Sequence, residues 1–254
     1  MTEIRPGNTT SDLDYIFHPQ TLAIAGVSDE ASPPNSGRNF LNVILEAGFK
    51  GKIYPLNRSG GQVRGLKIYS GLREVPDTVD FVISAVPARN APELMRECVE
   101  KKVKLVHFFT AGFSELGDEN GKRLEAEVAA IARAGGVRIT GPNGMGFHCP
   151  QAGLSFSPGM PTQTGPLGLL SQSGSHSSYL IREAGFRGLY TGKAVSYGNA
   201  ADLNETDFLE YFAGDPETEI IAAYIEGVKD GPRFARVLKM AAEQKPTIIL
   251  KGGI

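Results

Sequence analysis

The chain has 254 residues, a formal net charge of −2, 41% hydrophobic and 21% charged residues. This balance is ordinary for a folded globular protein and excludes a strongly basic surface for nucleic acid or anionic membranes, so any anion site must be local. No apolar run approaches the ~20 residues that a membrane-spanning helix needs, and the 2 cysteines exclude a disulfide framework. We expect a cytoplasmic protein without nucleic-acid or membrane partners.

Short apolar runs rich in Val and Ile alternate with segments of helical spacing in the first half of the chain. The predicted strands are Thr21–Val27, Lys52–Leu56, Asp80–Val86, Lys104–Phe109 and Val137–Thr140. The predicted helices between them are Gly37–Ala47, Ala91–Lys101 and Asn120–Ala134. Strands that are apolar throughout are typical of parallel sheets buried on both faces. The alternation therefore predicts a doubly wound α/β fold.

A composition break divides the chain, because His148–Pro166 holds four prolines and three glycines without a sustained period. The alternation then resumes with predicted strands at Gly168–Ser171, Tyr190–Val195, Ile220–Ile225 and Thr247–Leu250. The predicted helices there begin at His176 and span Thr206–Ala213 and Pro232–Glu243. We predict one domain at residues 12–147, a linker at 148–164, and a second α/β domain at 165–254 that is truncated at its C-terminus.

The loop after the first predicted strand is the first candidate ligand site. It runs from Gly26 through Ser28 to Ser36, which opens a helix. Glycine lets the backbone approach a phosphate closely, and a helix N-terminus offers free N–H donors with a partial positive charge. The alternative is that Gly26 only makes a tight turn and Ser36 only caps the helix.

The end of the second predicted strand bears on the choice of cofactor. An NAD-binding domain places Asp or Glu near this point to accept hydrogen bonds from the ribose hydroxyls. Here the sequence has Asn57 and Arg58, and Lys52 stands earlier in the same strand. A basic residue suits a phosphate on the ribose, as in NADP or coenzyme A, and works against NAD. Solvated surface cations are the alternative.

Three further strand ends carry Gly, Pro or other turn-forming residues, at Val86–Pro87, Gly112 and Asn143. Such residues usually form turns only. Their accumulation along one edge of the predicted sheet favours a long groove.

In the second half, Ser173, Gly174 and Ser175 fall between a predicted strand and a helix. Their N–H groups and hydroxyls can hold an anion. Ser173 is also a candidate nucleophile of a hydrolase, although the two glycines of a nucleophile elbow are replaced by serines. The histidines and cysteines show no metal-ligand spacing, so no metal site is predicted.

Eight segments, taken in order, resemble the NDP-forming acyl-CoA synthetases, the group related to ADP-forming acetyl-CoA synthetase and the succinyl-CoA synthetase α subunit. The segments are Ala25–Ser28, Gly48–Pro55, Val86–Ala88, Ala111–Glu115, Gly141–Asn143, Ser171–Gly174, Tyr224–Val228 and Lys245–Lys251. The resemblance implies a Rossmann-like CoA-binding domain followed by a flavodoxin-like ligase domain, both with parallel sheets.

The resemblance also implies a reaction, in which acid, CoA and ATP form acyl-CoA, ADP and phosphate through an acyl phosphate and a phosphohistidine. The sequence lacks the family's phosphohistidine segment and the ATP-grasp part that binds ATP or ADP with Mg²⁺. We therefore expect an oligomer with an ATP-grasp domain or β subunit as partner and a carboxylic acid as substrate. The isolated chain is expected to bind CoA without turnover.

Site residues are carried over by motif. The residues implied to line the CoA site are Gly26, Ser28, Ser36, Val86 and Pro87, with Gly112 and Asn143 towards the thiol. The resemblance further implies that Ser173 and Gly174 donate N–H groups to a phosphoryl group, and that Glu226 fixes the tautomer of the phosphohistidine. Charge alone adds Arg58 or Lys52 for the ribose phosphate of CoA.

Three alternatives stay open at this point. The chain could be a non-catalytic CoA-binding module, half of an NADP-dependent oxidoreductase, or a hydrolase using Ser173. Two departures from the family pattern bear on CoA geometry: Asn57-Arg58-Ser59 replaces a segment with Pro in the middle, and Gly144 follows Asn143 where relatives often have Cys.

Overall fold

The computed structural model describes residues 10–252, with side chains from residue 13, so the polar start of the chain and the last two residues of the predicted second domain lie outside the described residues. The strands are β1 (Thr21–Ala25), β2 (Lys52–Leu56), β3 (Gly61–Val63), β4 (Leu66–Ile68), β5 (Phe81–Ser84), β6 (Leu105–Phe108), β7 (Arg138–Thr140), β8 (Gly146–His148), β9 (Leu167–Ser171), β10 (Thr191–Ser196), β11 (Ile220–Ile225) and β12 (Thr247–Lys251). The helices are α1 (Ser36–Glu46), α2 (Ala91–Glu100), α3 (Glu119–Gly135), α4 (Gly174–Phe186), α5 (Glu205–Gly214) and α6 (Gly231–Gln244). The α/β prediction is confirmed, because every predicted strand and helix is present with small shifts at its ends.

The first sheet is fully parallel, with strand order β2-β1-β5-β6-β7. The chain moves outward from β1 through α1 to β2, then crosses back to β5 and continues the other way through α2 and α3. Because such crossovers are right-handed, α1 covers one face of the sheet and α2 with α3 covers the other. The direction reverses between β1 and β5, and ligands of open α/β sheets bind at the carboxyl ends of strands at such a switch point.

The second sheet repeats this plan, with order β12-β11-β9-β10-β8. Strands β9 to β12 are parallel and β8 is antiparallel to β10. By the same handedness rule α4 lies on one face, and α5 and α6 lie on the other. The switch point of this sheet falls between β9 and β11, so a second ligand edge is expected beyond those two strands.

The two halves share a core, which the sequence pattern did not predict. Strand β8 follows the last loop of the first half but pairs with β10 of the second sheet, His148 opposite Ala194. The ring of Phe17, in the first half, lies 5.5 Å from the ring of Phe147 and 5.3 Å from that of Tyr211. A 3₁₀ helix at Thr10–Ile16 also packs against α5. No helix in residues 10–252 is long and apolar enough to cross a membrane.

Two buried histidines make the stability of the fold dependent on pH. His107 and His148 are 0% and 2% exposed, and burial lowers the pKa of each to about 4. Burial keeps the ring of His107 neutral, and its Nε2–H donates to the carbonyl of Gly144 at 3.0 Å, which fixes the tautomer. Below pH 6.5 the unfolded chain binds a proton at each histidine that the folded chain does not bind, so stability falls as pH falls.

We therefore expect the free energy of unfolding to fall by about 4 kcal/mol between pH 7 and pH 5, roughly 2 kcal/mol from each histidine. Urea unfolding across this range measures the loss. His18→Asn is the matched control, because this substitution, at a side chain that is 33% exposed, leaves both buried rings in place. A stability that stays flat between pH 7 and pH 5 contradicts the buried neutral state of the two rings.

Candidate functional site

A cleft of about 280 Å³ opens at the first switch point, where β1, β2 and β5 end. The predicted residues in its wall are Gly26, Arg58, Val86 and Pro87. The wall also contains Asn35 and Asn90, which are the N-cap residues of α1 and α2. Two helix N-termini thus open onto one cleft, and each brings a partial positive charge suited to phosphate groups. At α2 the N–H of Ala91 donates to Ala88 O and the next residue is Pro92, so fewer N–H groups are free there than at an ordinary helix start.

Glycines hold the turn after β1 tightly against its neighbours. Gly26 has φ +91° and its N–H donates to Leu56 O at 2.9 Å. A Cβ on Gly26 would lie 2.9 Å from Ala85 O, and a Cβ on Gly37 would lie 2.4 Å from Gly26 O. The turn, α1 and the loop after β5 can therefore approach this closely only without side chains at these two positions.

The cap of α1 bears on the alternative that Ser36 only caps the helix. Asn35 is the N-cap, and its Oδ1 accepts from Arg38 N at 3.0 Å and from Ser28 N at 3.2 Å. Its Nδ2 donates to Gly26 O at 2.8 Å. Ser36 is the exposed first residue of the helix, Ser28 is buried, and neither lines the cleft. Asn and Ser are both good cap residues, so sequence alone did not show which of the two neighbours serves.

The two basic residues predicted for the site lie at the two ends of β2, Lys52 at its amino end and Arg58 just beyond its carboxyl end. Arg58 is at the rim of the cleft, 69% exposed, and pairs with Glu93. Lys52 lies at the amino end of β2, pairs with Asp77 and does not line the cleft. Asn57 does not replace the acidic residue of an NAD site, because its Nδ2 donates to the carbonyl of Val27 at 2.9 Å.

The second switch point brings together Ser173, Gly174 and Ser175 at the start of α4. Ser173 is the N-cap, and its Oγ lies 3.0 Å from His176 Nδ1 and 3.2 Å from Ser175 Oγ. The ring of His176 stacks on Tyr224 with 4.2 Å between centroids and 8° between planes. Free N–H groups at this helix end can hold an anion.

Glu226 follows β11 beside this helix end, and its backbone is held by a residue that sequence reasoning did not single out. Gln172 Oε1 accepts from Glu226 N at 2.9 Å and from Gly227 N at 3.0 Å. Lys251 Nζ donates to Glu226 O at 2.8 Å. A glutamine directly before a candidate anion loop was the available signal, but its long-range partner cannot be read from the sequence.

Replacing Gln172 with alanine is expected to speed amide hydrogen exchange at Glu226 and Gly227 about fivefold, because each lost hydrogen bond contributes about 1 kcal/mol. Exchange measured by NMR on the folded chain tests this. Gln151→Ala, at an exposed position, is the control. Unchanged exchange at both amides would show that Gln172 does not hold this loop.

No serine hydrolase triad is formed at Ser173. His176 is the only histidine near it, and the contacts of His176 in the described part of the chain are with Ser173 and Tyr224, with no carboxylate bonded to the ring. Ser173 Oγ also accepts from His176 N as the cap of the helix. The described residues likewise hold no His, Cys, Asp and Glu group arranged for a metal ion.

Gly112 and Asn143 lie between the two switch points, where the halves touch. Asn199, in the second half, donates from Nδ2 to Glu115 Oε2 at 2.6 Å, and Glu115 Oε1 in turn accepts from Gly112 N at 2.5 Å. Asn143 has φ +58°, and its Nδ2 lies 3.4 Å from Asn199 Oδ1. Burial alone would raise the pKa of Glu115, but hydrogen bonds from Asn199 and Gly112 outweigh it and hold the pKa below its ordinary value.

Close backbone contacts explain the glycine at position 144. A Cβ on Gly144 would lie 2.6 Å from Ser196 O, and a Cβ on Gly174 would lie 2.6 Å from Met145 Cγ. The loop after β7 therefore presses against the end of β10 and the start of α4. The carboxyl end of β7 in the first sheet therefore meets the carboxyl end of β10 in the second.

The fold and both sites define a doubly wound α/β protein with ligand edges at two switch points. Residues 20–150 match a CoA binding domain, more than half of the 254 residues, and residues 164–254 match a succinyl-CoA ligase like flavodoxin domain. The chain belongs to the CoA-binding domain family, with the ligase-type domain adjoining, and the resemblance to NDP-forming acyl-CoA synthetases is confirmed.

Individual relatives agree with this assignment. The chain is 40% identical to the α subunit of ADP-forming acetate–CoA ligase I of Pyrococcus furiosus, covering 95% of this chain and 53% of the relative. It is 36% identical to the ADP-forming acetate–CoA ligase of Methanocaldococcus jannaschii, covering 95% and 33%. The dinucleotide-forming acetyl-coenzyme A synthetase 1 of Ca. Korarchaeum cryptofilum, solved with phosphate and ADP, superposes with TM-score 0.86 at 33% identity, covering 94% of this chain and 51% of that chain. The chain thus spans about a third to a half of these relatives.

Proposed function

We propose that this chain is the CoA-binding, α-type portion of an NDP-forming acyl-CoA synthetase. The observation that carries the proposal is the cleft at the first switch point, which two helix N-termini flank and which lies in a domain of the CoA-binding family. The complete enzyme would join a carboxylic acid to CoA with hydrolysis of ATP to ADP and phosphate. The acetate–CoA ligases among the relatives support this reaction class.

In this proposal Gly26, Val86 and Pro87 let the pyrophosphate and pantetheine of CoA lie close to the backbone between α1 and α2. Arg58 takes the ribose 3′-phosphate at the rim. Its present partner Glu93 has 61% of its side chain exposed, so exchanging this carboxylate for a phosphate breaks only a weak surface ion pair. The thiol end would lie towards Gly112 and Asn143, at the junction of the two sheets.

The second switch point would bind the phosphoryl group. The N–H groups of Ser173, Gly174 and Ser175 would stabilise its charge without moving, as preorganised donors do. Glu226, held by Gln172, would orient a phosphohistidine supplied by another segment. ATP, ADP and Mg²⁺ would bind to an ATP-grasp domain or β subunit, and we propose an oligomeric, cytoplasmic enzyme. Two free and buried cysteines, Cys98 and Cys149, are compatible with that location.

An exposed apolar face of the second sheet supports a partner. Ile248 and Leu250 are 63% and 55% exposed and project from the same face of β12. Leu250 pairs with Tyr224, and the ring of Tyr224 stacks on His176 of α4, so this is the face on which α4 lies. Helices α5 and α6 cover the opposite face. Parallel sheets are normally covered on both faces. We propose that the further polypeptide of the ligase, which makes up about half to two thirds of the length of the relatives, covers this face.

Ligand-dependent thermal stability tests the proposed function. A ligand at 100 times its Kd stabilises the folded state by about 2.7 kcal/mol, so CoA should raise the melting temperature clearly, 3′-dephospho-CoA should raise it less, and NAD and NADP should leave it unchanged. A response to NADP alone, or to none of the four ligands, would remove the proposed function.

The role of Arg58 has its own test. Arg58→Ala should weaken CoA about tenfold or more, since a hydrogen bond to a charged group contributes about 1.5–3 kcal/mol, and should leave the affinity for 3′-dephospho-CoA unchanged. Arg123→Ala, on the exposed side of α3, serves as the matched control. Equal losses for both ligands would mean that Arg58 does not bind the 3′-phosphate.

A further inference from the structure

The cleft at the first switch point has a far end to which the proposed function gives no role. Helix α2 lines the cleft with Asn90, Glu93, Leu94 and Glu97, which recur at i, i+3, i+4 and i+7 and so share one face of the helix. Asn90 caps α2 at the switch point, and Glu97 follows seven residues later, about 10 Å further along the helix axis. The cleft therefore extends from a helix N-terminus, which suits a phosphate, to a carboxylate two turns away.

The carboxylate of Glu97 closes this end of the cleft. Its Oε2 accepts from Leu72 N at 2.9 Å, which ties α2 to the loop that follows β4. A Cβ on Gly71 would lie 3.0 Å from Oε2 and 3.5 Å from Oε1, so the whole carboxylate lies against Gly71. Ser70 and Gly71 line the cleft. The carboxylate therefore stands at the cleft wall, beside a position without a side chain.

One oxygen of Glu97 is available to a ligand. In the described part of the chain, the bond from Leu72 N is the only hydrogen bond that the carboxylate accepts, and Oε1 is not buried. Arg73, the next residue of the loop, donates to both oxygens of Glu100 instead. An ionised carboxylate can only accept hydrogen bonds. This end of the cleft therefore favours a ligand group that donates and opposes one that accepts.

The wall between the two ends suits the flat ring of a base. Leu56 and Leu94 line the cleft from β2 and α2, and an aromatic ring is stabilised by burying its faces against such apolar side chains. Arg58, proposed to bind the ribose 3′-phosphate, pairs at the rim with Glu93, which lies between Asn90 and Glu97 on α2. Pyrophosphate, ribose phosphate and base thus follow one another along α2 in the order in which CoA carries them.

We infer that Glu97 determines the specificity of the cleft for the base of CoA, because its free oxygen accepts a hydrogen bond from the exocyclic amino group of adenine. The inference rests on the proposed function. Adenine carries a donating amino group at C6. Hypoxanthine carries a carbonyl oxygen there, which would face the carboxylate with no proton between them. The site therefore distinguishes two bases of the same shape by the group at one position.

Calorimetric titration of the full chain with CoA, and with the analogue of CoA that carries hypoxanthine in place of adenine, tests the inference. The parent should bind CoA about tenfold or more tightly than the analogue, because the analogue loses a hydrogen bond to a charged group and brings an acceptor against it. In Glu97→Gln the amide oxygen can keep the bond from Leu72 N, so the amide N–H groups face the base. This variant should bind the analogue at least as tightly as it binds CoA.

Glu100→Gln is the matched control, because Glu100 is an exposed residue of the same helix that bonds Arg73 and does not line the cleft. This variant should keep the preference of the parent for CoA. Equal affinities of the parent for the two ligands, or an unchanged preference in Glu97→Gln, would overturn the inference and leave CoA binding itself in place. If the parent binds neither ligand, the proposed function fails and the inference fails with it.

Discussion

Replacing Gly37 with alanine is expected to abolish CoA binding and to lower the free energy of unfolding by about 3 kcal/mol. The new Cβ would lie 2.4 Å from Gly26 O and 2.9 Å from Val27 N. Overpacking costs about 1–3 kcal/mol, and the upper end applies here because the displaced atoms belong to the backbone. Gly26 and the cap residue Asn35 both line the cleft, so the displacement changes the binding surface itself.

Calorimetric titration with CoA and urea unfolding measure the two effects separately. Gly231→Ala is the matched control, because a Cβ at the start of α6 meets nothing within 4 Å and should leave both quantities unchanged. If Gly37→Ala bound CoA with the affinity of the parent, the close contact between α1 and the turn after β1 would not position the ligand.

Removing the charge of Lys193 is expected to destabilise the fold by about 3–5 kcal/mol, the usual cost of leaving a buried charge without its partner. Lys193 is 3% exposed, and its Nζ lies 2.8 Å from Asp215 Oδ1 and 2.8 Å from Glu217 Oε2. Asp14, in the first half, is 3.8 Å away. Burial would lower the pKa of Lys193, but hydrogen bonds to Asp215 and Glu217 outweigh it and hold the pKa above its ordinary value.

Lys193→Met keeps the length of the side chain and isolates the charge, with urea unfolding as the measurement. The double variant Lys193→Met with Asp215→Asn should recover part of the loss, since it removes the buried carboxylate as well. Lys239→Met is the exposed control, because its ion pair with Glu243 spans 3.9 Å at the surface and contributes little. A loss no larger than that of the control would mean that the buried cluster is not held together by Lys193.

Local patterns predicted the architecture well, because parallel strands buried on both faces are apolar runs and their carboxyl ends carry the ligand loops. Gly26, Val86 and Pro87 follow strands that meet at one switch point, so chain order alone brought them together. Chain order also argues against Lys52 as a residue of this cleft, because it stands at the amino end of β2 and the cleft lies at the carboxyl ends of the strands. Lys52 was included for its charge alone, without regard to the direction of the strand.

The remaining features depend on contacts between residues distant in sequence. The pairing of β8 with β10 and the bridge from Asn199 to Glu115 join the two halves, and no local period reports either of them. Asn35 was not singled out as the cap of α1, because its neighbour Ser36, the alternative cap, belongs to a residue type that favours the same position. Gln172 was passed over because its partners, the amides of Glu226 and Gly227, follow a strand more than fifty residues later.

A crystal structure of the chain soaked with CoA tests the central claim most directly. The account predicts the pyrophosphate of CoA between the N-termini of α1 and α2, with the 3′-phosphate at Arg58 in place of Glu93. Ordered CoA elsewhere on the molecule, or an empty cleft at CoA concentrations that raise the melting temperature, would contradict the assignment of this site.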